Sequence, residues 1–224
     1  MKSFKKFLAE FFGTLFLVFF ACGIACFACK GLEGGLFNFI VAMGFGFALI
    51  ACIYTIGYVS GSHVNPAVSL AMLIDGRMKF GEFIGYVISQ FLGGFAGAAL
   101  LSVFAGDTSL GTNGFTMAPG LAILIEVILT CMFVYTVMCT TAQKNFPGAG
   151  IVNGFALALV HMLGVSFTGT SVNPARSFGP ALMKAIQGDG AALAQYWVFL
   201  VAPLAGAVLA AVLYRIINRC KCEK

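Results

Sequence analysis

Charge is what this sequence has least of. Asp, Glu, Lys and Arg supply 9% of its 224 residues, where a soluble domain carries roughly a quarter. Water is therefore excluded as the solvent around the whole fold, because a compact chain in water needs polar groups over its outside. The positive excess of +5 at pH 7 gathers at segment ends and forms no patch, so nucleic acid is not expected as a partner. A metal centre is equally unsupported. Cys22, Cys26 and Cys29 share one helix face, but no His or carboxylate is spaced to complete a ligand set. The eight cysteines fall mostly inside apolar segments, where Cys acts as a small hydrophobe, and no disulfide framework is expected. No nucleophile has a recognisable base beside it, which argues against an enzyme, and nothing implies a cofactor.

What the chain has instead is apolar length. Hydrophobic residues make up 60% of it. Runs of about 20 residues, enough to span a bilayer, lie near 7–29, 36–58, 83–104, 120–142, 150–168 and 195–217. The start MKSFKKFLAEFFGTLFLVFF has the basic opening and apolar run of a signal peptide, yet it carries Glu10 and continues to about Cys29, so it is expected to stay as the first span. Two further apolar pieces, about 66–74 and 174–186, are too short to cross, and each starts at Asn-Pro. They are expected to be half-helices. Six spans put both termini on one side. Lys2, Lys5, Lys6, Arg77, Lys79, Lys144, Arg215, Arg219, Lys221 and Lys224 fall with the termini, while Lys30, Arg176 and Lys184 fall opposite. That asymmetry places the termini in the cytoplasm. The first half-helix then enters from the cytoplasmic side and the second from outside.

The halves repeat. SGSHVNPAVS (60–69) aligns with TGTSVNPARS (168–177) through its Gly, Val, Asn, Pro, Ala and final Ser. Around it, Glu10 and Thr14 match Glu126 and Thr130, Gly44-Phe45 matches Gly154-Phe155, and AGA recurs at 96–98 and 205–207. The chain reads as a single transmembrane domain with repeats at about 4–104 and 120–217. The second follows an odd number of spans and is therefore inverted, an arrangement that forms sites at the midplane between discontinuous helices. At each half-helix, Asn65 or Asn173 takes the N-cap and Pro66 or Pro174 the first helical position. The Asn oxygen can accept from free backbone N–H groups, which leaves its NH₂ aimed ahead. Two positive helix ends, each about half an elementary charge, would meet head to head, disfavouring cations and welcoming a neutral molecule with lone pairs.

At these residues the chain resembles the aquaporin, or major intrinsic protein, family over essentially its whole length, closest to the bacterial-type water-selective branch. The resemblance implies an all-α membrane protein of six transmembrane helices and two re-entrant half-helices. It also implies a homotetramer with one pore per subunit, and passive conduction of water or small neutral solutes without cofactor. Asn65, Pro66 and Ala67 and Asn173, Pro174 and Ala175 are then the pore motifs. Phe45, His161, Thr170 and Arg176 match the outer constriction that separates water from glycerol channels, with His161 and Arg176 expected to donate hydrogen bonds and Thr170 to turn its carbonyl and hydroxyl to the lumen. Ser177 stands where glycerol channels typically carry Asp, and the last span opens with Tyr196-Trp197. Glu10 and Glu126 are implied to brace the re-entrant loops, and His63 to line the cytoplasmic half of the pore. Gly/Ala-rich faces of the first, second, fourth and fifth spans are the expected contacts between copies. Two readings compete. A glycerol facilitator would need a wider filter, and an ion-coupled transporter would need a coupling-ion site beyond Glu10 and Glu126. Loop 105–119 is free to fold over the outer mouth, and Cys220 and Cys222 are open equally to lipidation, to a reactive pair or to no special role.

Overall fold

Helices account for every regular element in the computed structural model, which describes residues 2–105, 109–143 and 146–218. They are α1 (Lys2–Gly23), α2 (Gly34–Ser60), α3 (Pro66–Ile74), α4 (Phe80–Ala105), α5 (Pro119–Ala142), α6 (Ala149–Thr168), α7 (Pro174–Ile186) and α8 (Ala191–Asn218). A π-helical turn, Ile24–Ala28, extends α1. Six of these helices are long and apolar enough to cross a membrane. The two short ones, α3 and α7, carry the bounds read from the sequence. Cys220, Cys222 and the basic positions Lys144, Arg219, Lys221 and Lys224 lie outside the described residues.

The breaks between long and short helices have local causes. Gly61 (φ 89°) ends α2 and Gly169 (φ 71°) ends α6, each in the left-handed conformation, and their N–H groups donate to Gly57 O and Val165 O. Only glycine takes that φ without strain, so the chain leaves each long helix at the same point of the repeat. Four residues later Asn-Pro restarts it.

Packing follows glycine. A methyl group on Gly46 would sit 2.8 Å from Gly154 O, and one on Gly154 would sit 2.7 Å from Gly46 O, so α2 and α6 touch backbone to backbone. Likewise Gly97 faces Leu15 O across α1 and α4, and Gly206 faces Val127 O across α5 and α8. The half-helices cross over: α3 packs on α8, and α7 packs on α4. There Gly94 abuts Ala175 O and Gly179 abuts Gly94 O, which lets α7 reach the centre. Small residues at contacts are what lipid-embedded helices need, since lipid supplies no hydrophobic drive between them. Gly46 and Gly154, on two of the spans whose faces were expected to meet a second copy, are engaged with each other inside the chain.

The polarity is the reverse of a soluble fold. Phe12, Phe16 and Phe20 on α1 and Leu121, Leu124, Ile128 and Met132 on α5 are exposed, while Glu10, Gln90, Glu126, Asn65, Asn173 and Arg176 are buried. An apolar outside around a polar inside is the pattern of a multi-pass membrane protein.

Candidate functional site

The site is built on two five-residue loops, 61–65 and 169–173. Ser62 and Val64 in the first, and Thr170 and Val172 in the second, all hold positive φ between 44° and 50°. For a β-branched valine this is a strained backbone that persists only when its surroundings enforce it. One buried carboxylate enforces each loop. Glu10 accepts from Ser60 Oγ (2.7 Å), His63 N (2.9 Å) and Val64 N (2.7 Å). Glu126 accepts from Thr168 Oγ1 (2.6 Å), Ser171 N (2.8 Å) and Val172 N (2.9 Å). The two sets of donors are equivalent positions of the repeat. Gln90 Nε2 adds a fourth donor to Glu10 at 2.8 Å, and this role was not legible in the sequence, where Gln90 sits in an apolar span.

With the loops fixed, the two asparagines meet. Asn65 Oδ1 accepts from Ala67 N (2.8 Å), and Asn173 Oδ1 accepts from Ala175 N (3.1 Å) and Arg176 N (3.2 Å). These are the expected caps. Their amide groups, however, do not both point ahead unengaged: Asn65 Nδ2 donates to Val172 O and Asn173 Nδ2 to Val64 O, each at 2.8 Å. One hydrogen of each NH₂ thus ties the two loops together and one is left for the space between them. The strained valines have a purpose here, because their φ turns those carbonyls toward the opposite amide.

A narrow passage of about 10 Å³ runs past Asn65, Asn173, Val64, Phe133 and Leu157 to Phe45, His161 and Arg176. A wider cavity of about 280 Å³, lined by His63, Ser62, Tyr86 and Asn153, shares Leu49, His63 and Phe133 with it. Beyond the arginine, residues 112–116 and Gln195 border a second opening of about 520 Å³. His63 Nδ1 lies 3.0 Å from Ser69 Oγ, its ring set edge-on to Tyr86.

At the narrow end, the Phe45 and His161 rings stack with centroids 4.2 Å apart, and the Arg176 guanidinium carbon lies 4.7 Å over the Phe45 ring. Arg176 Nη1 donates to Gly111 O (2.9 Å) and Asn113 Oδ1 (2.5 Å). Two details differ from the expected filter. His161 Nδ1 is 2.9 Å from Leu157 O; a carbonyl only accepts, so in the neutral ring Nδ1 carries the proton and Nε2, which has no partner among the described residues, is an acceptor and not a donor. Thr170 is fully buried, and its hydroxyl is directed at Gly164, where it finds no hydrogen-bond partner among the described residues. Its positive φ swings the side chain away from the passage. Among the described side chains at this end, the donor that remains is Arg176.

Comparison with known proteins places this geometry. The family model described as Major intrinsic protein matches residues 1–214. A protein named Aquaporin Z from Brucella melitensis is 41% identical over 94% of this chain and 96% of its own. Another Aquaporin Z, from Rhodopseudomonas palustris, is 38% identical over 96% of this chain and 93% of its own. Among solved structures, the aquaglyceroporin from Plasmodium falciparum superposes with a TM-score of 0.83 over 96% of both chains at 23% identity, a likeness of fold. A six-span chain with two capped half-helices, matched to one family model from its first residue through most of α8, belongs to the major intrinsic protein family.

Proposed function

We propose that the chain is a passive water channel of the cell membrane that excludes ions and protons. The observation that carries this reading is the stack of Phe45 and His161 beneath Arg176, at one end of a cavity of only about 10 Å³ that reaches to Asn65 and Asn173. That is of the order of one water-sized probe. Relatives named Aquaporin Z are in keeping with it. Phe45 supplies an apolar wall, Arg176 a donor and a fixed positive charge, and His161 an acceptor. Asn65 and Asn173, preset by Pro66-Ala67 and Pro174-Ala175, offer their remaining amide hydrogens to one oxygen at the centre. Glu10 and Glu126 brace the loops. His63 lines the wider inner half, and the termini face the cytoplasm.

Stopped-flow light scattering on proteoliposomes tests the reading directly. Water is expected to pass fast and glycerol poorly, and no ion or pH gradient should be needed. Equal rates for the two would sink the filter assignment in favour of a glycerol facilitator, and gradient-driven uptake would favour a transporter. His161→Gly removes the ring stacked on Phe45 and is expected to raise glycerol flux about tenfold, as one missing side chain in a pocket commonly changes discrimination by that order. The substitution is best made alone. A Phe at position 170 would collide with Gly164, against which the Thr170 hydroxyl already lies.

The same reading includes a homotetramer. Since Gly46 and Gly154 are used inside the chain, copies would meet through the large exposed side chains of α1, α2, α5 and α6, such as Phe16, Phe47, Leu124 and Leu159. Native mass spectrometry from mild detergent is expected to show four copies; a fully active monomer would rule the tetramer out.

A further inference from the structure

The donor that the passage relies on is held from outside the repeat. Arg176 Nη1 uses both its hydrogens on the segment 109–116, and the stronger acceptor there is a side chain, Asn113 Oδ1 at 2.5 Å. That same oxygen accepts from Ser177 Oγ at 2.7 Å. Ser177 Oγ in turn lies 2.6 Å from Ser171 Oγ. Because Ser177 gives its hydrogen to Asn113, Ser171 must be the donor in that pair. A polarised chain thus runs from the loop before α7, through two hydroxyls, to Asn113, and meets the guanidinium there.

Asn113 itself has little freedom. It is 3% exposed. Its Nδ2 donates to Thr168 O at 3.3 Å, beside the Gly114 N–H that donates to the same carbonyl at 3.2 Å. On one side Phe115 N donates to Gln195 Oε1 (2.8 Å) and Gln195 Nε2 donates back to Phe115 O (3.1 Å). On the other, Leu110 is fully buried and Gly111 sits against Cys22, where a methyl group would lie 2.8 Å from Cys22 Cβ. A connecting loop anchored at both flanks, with a buried amide between, is a rigid support and not a surface strap. The inverted partner of this arrangement is different in kind. Ser69, the repeat equivalent of Ser177, receives its bond from Gln90 on a helix, and the position matching Arg176 is Val68.

We propose that Asn113 is the positioning residue of the filter: its side-chain oxygen fixes the Arg176 guanidinium over Phe45, and thereby sets how the channel discriminates between water, protons and larger neutral solutes. The inference rests on the water-channel reading. Gly111 O alone gives the guanidinium one tether and leaves it free to rotate about that bond. With Asn113 Oδ1 as a second acceptor on the same nitrogen, Nε is held at a set position without a partner among the described residues.

Two substitutions separate positioning from mere loop support. Asn113→Ala removes the second tether; the arginine, kept within about 0.5 Å when a site is well supported, is expected to wander, with water permeability per channel falling about fivefold and the glycerol-to-water ratio rising. Asn113→Asp keeps an acceptor at the same place, so water permeability is expected to stay within about twofold while a carboxylate beside the guanidinium offsets its charge and raises proton conductance about tenfold. Thr168 O keeps its bond from Gly114 N in both variants. Both are reconstituted at matched, counted channel density and assayed by stopped-flow scattering and by a trapped pH dye. A wild type that conducts no water defeats the channel reading itself. A conducting wild type whose Ala and Asp variants both keep its water, glycerol and proton ratios overturns the role of Asn113, even if their yield or melting temperature falls.

Discussion

Arg176→Val combined with His161→Ala is expected to turn a proton-tight channel into one that leaks protons measurably. Arg176 carries a full positive charge at 3% exposure, 4.7 Å from the Phe45 ring it shares the passage with. A unit charge acting on another about 4–5 Å away is worth roughly 3–4 kcal/mol at an effective dielectric of 20. Each 1.36 kcal/mol is a factor of about ten in rate, so removing the charge should raise proton flux by roughly two to three orders of magnitude. His161→Ala adds room by removing the stacked ring, so that a hydrated proton is not excluded by size after it is no longer excluded by charge. Conduction will not become free. The two helix ends at Asn65 and Asn173 keep about half a positive charge each, and they form a second barrier at the centre. Asn173→Ala, by contrast, deletes a cap with two backbone donors and the tie to Val64 O, and is expected to harm folding or water flux more than proton exclusion. Liposomes loaded with a pH dye under an imposed potential read the difference. A leaking wild type, or a double variant as tight as wild type, would defeat the electrostatic account.

The fold was legible because its signals are long and redundant. Six apolar runs of spanning length, two Asn-Pro starts and a ten-residue motif repeated with its flanks leave few arrangements open, and α3 and α7 begin and end at the residues the pattern indicates. Local contacts were legible where side-chain type and repeat position coincide, as for the loop hydrogen bonds of Glu10 and Glu126 and the helix caps of Asn65 and Asn173. It was not legible where backbone conformation decides direction. Nothing in the letters of Thr170 says that its φ is 48° and its hydroxyl turned toward Gly164. The tautomer of His161 depends on Leu157 O, four residues back on the same helix, a carbonyl that every helical position has behind it and that therefore leaves no sequence mark. Asn113 was hidden for another reason. It lies in a loop with no counterpart in the repeat, and its partners Arg176, Ser177 and Thr168 are between 55 and 64 positions away.

The bracing role leads to the second large expected effect, a loss of stability on removing either buried carboxylate. Glu126→Leu keeps the volume roughly but offers no acceptor to Thr168 Oγ1, Ser171 N and Val172 N, all buried. Each buried donor left unsatisfied costs about 1–3 kcal/mol, so roughly 4 kcal/mol or more is at stake. For a chain of this size, about 1 kcal/mol shifts the melting temperature by roughly 2–4 °C, which puts the expected drop near 10 °C. The strain at Val172 makes the damage specific. Once Glu126 no longer grips its N–H, the left-handed φ of 45° has nothing to enforce it, and relaxation withdraws the carbonyl that receives Asn65 Nδ2. Water flux should therefore fall further than the loss of folded protein explains. Glu10→Leu is expected to cost at least as much, because Gln90 Nε2 is orphaned from it as well, although Ser69 Oγ remains as a partner at 3.0 Å. The amide variants Glu10→Gln and Glu126→Gln keep one acceptor oxygen and turn an NH₂ toward donors, and should fall between wild type and leucine. Thermal unfolding in detergent, followed beside water flux per folded channel, checks the order. A proton-relay role would show the opposite pattern, with the Gln variants altering proton movement at unchanged melting temperature, and leucine variants as stable and as conductive as wild type would remove the brace altogether.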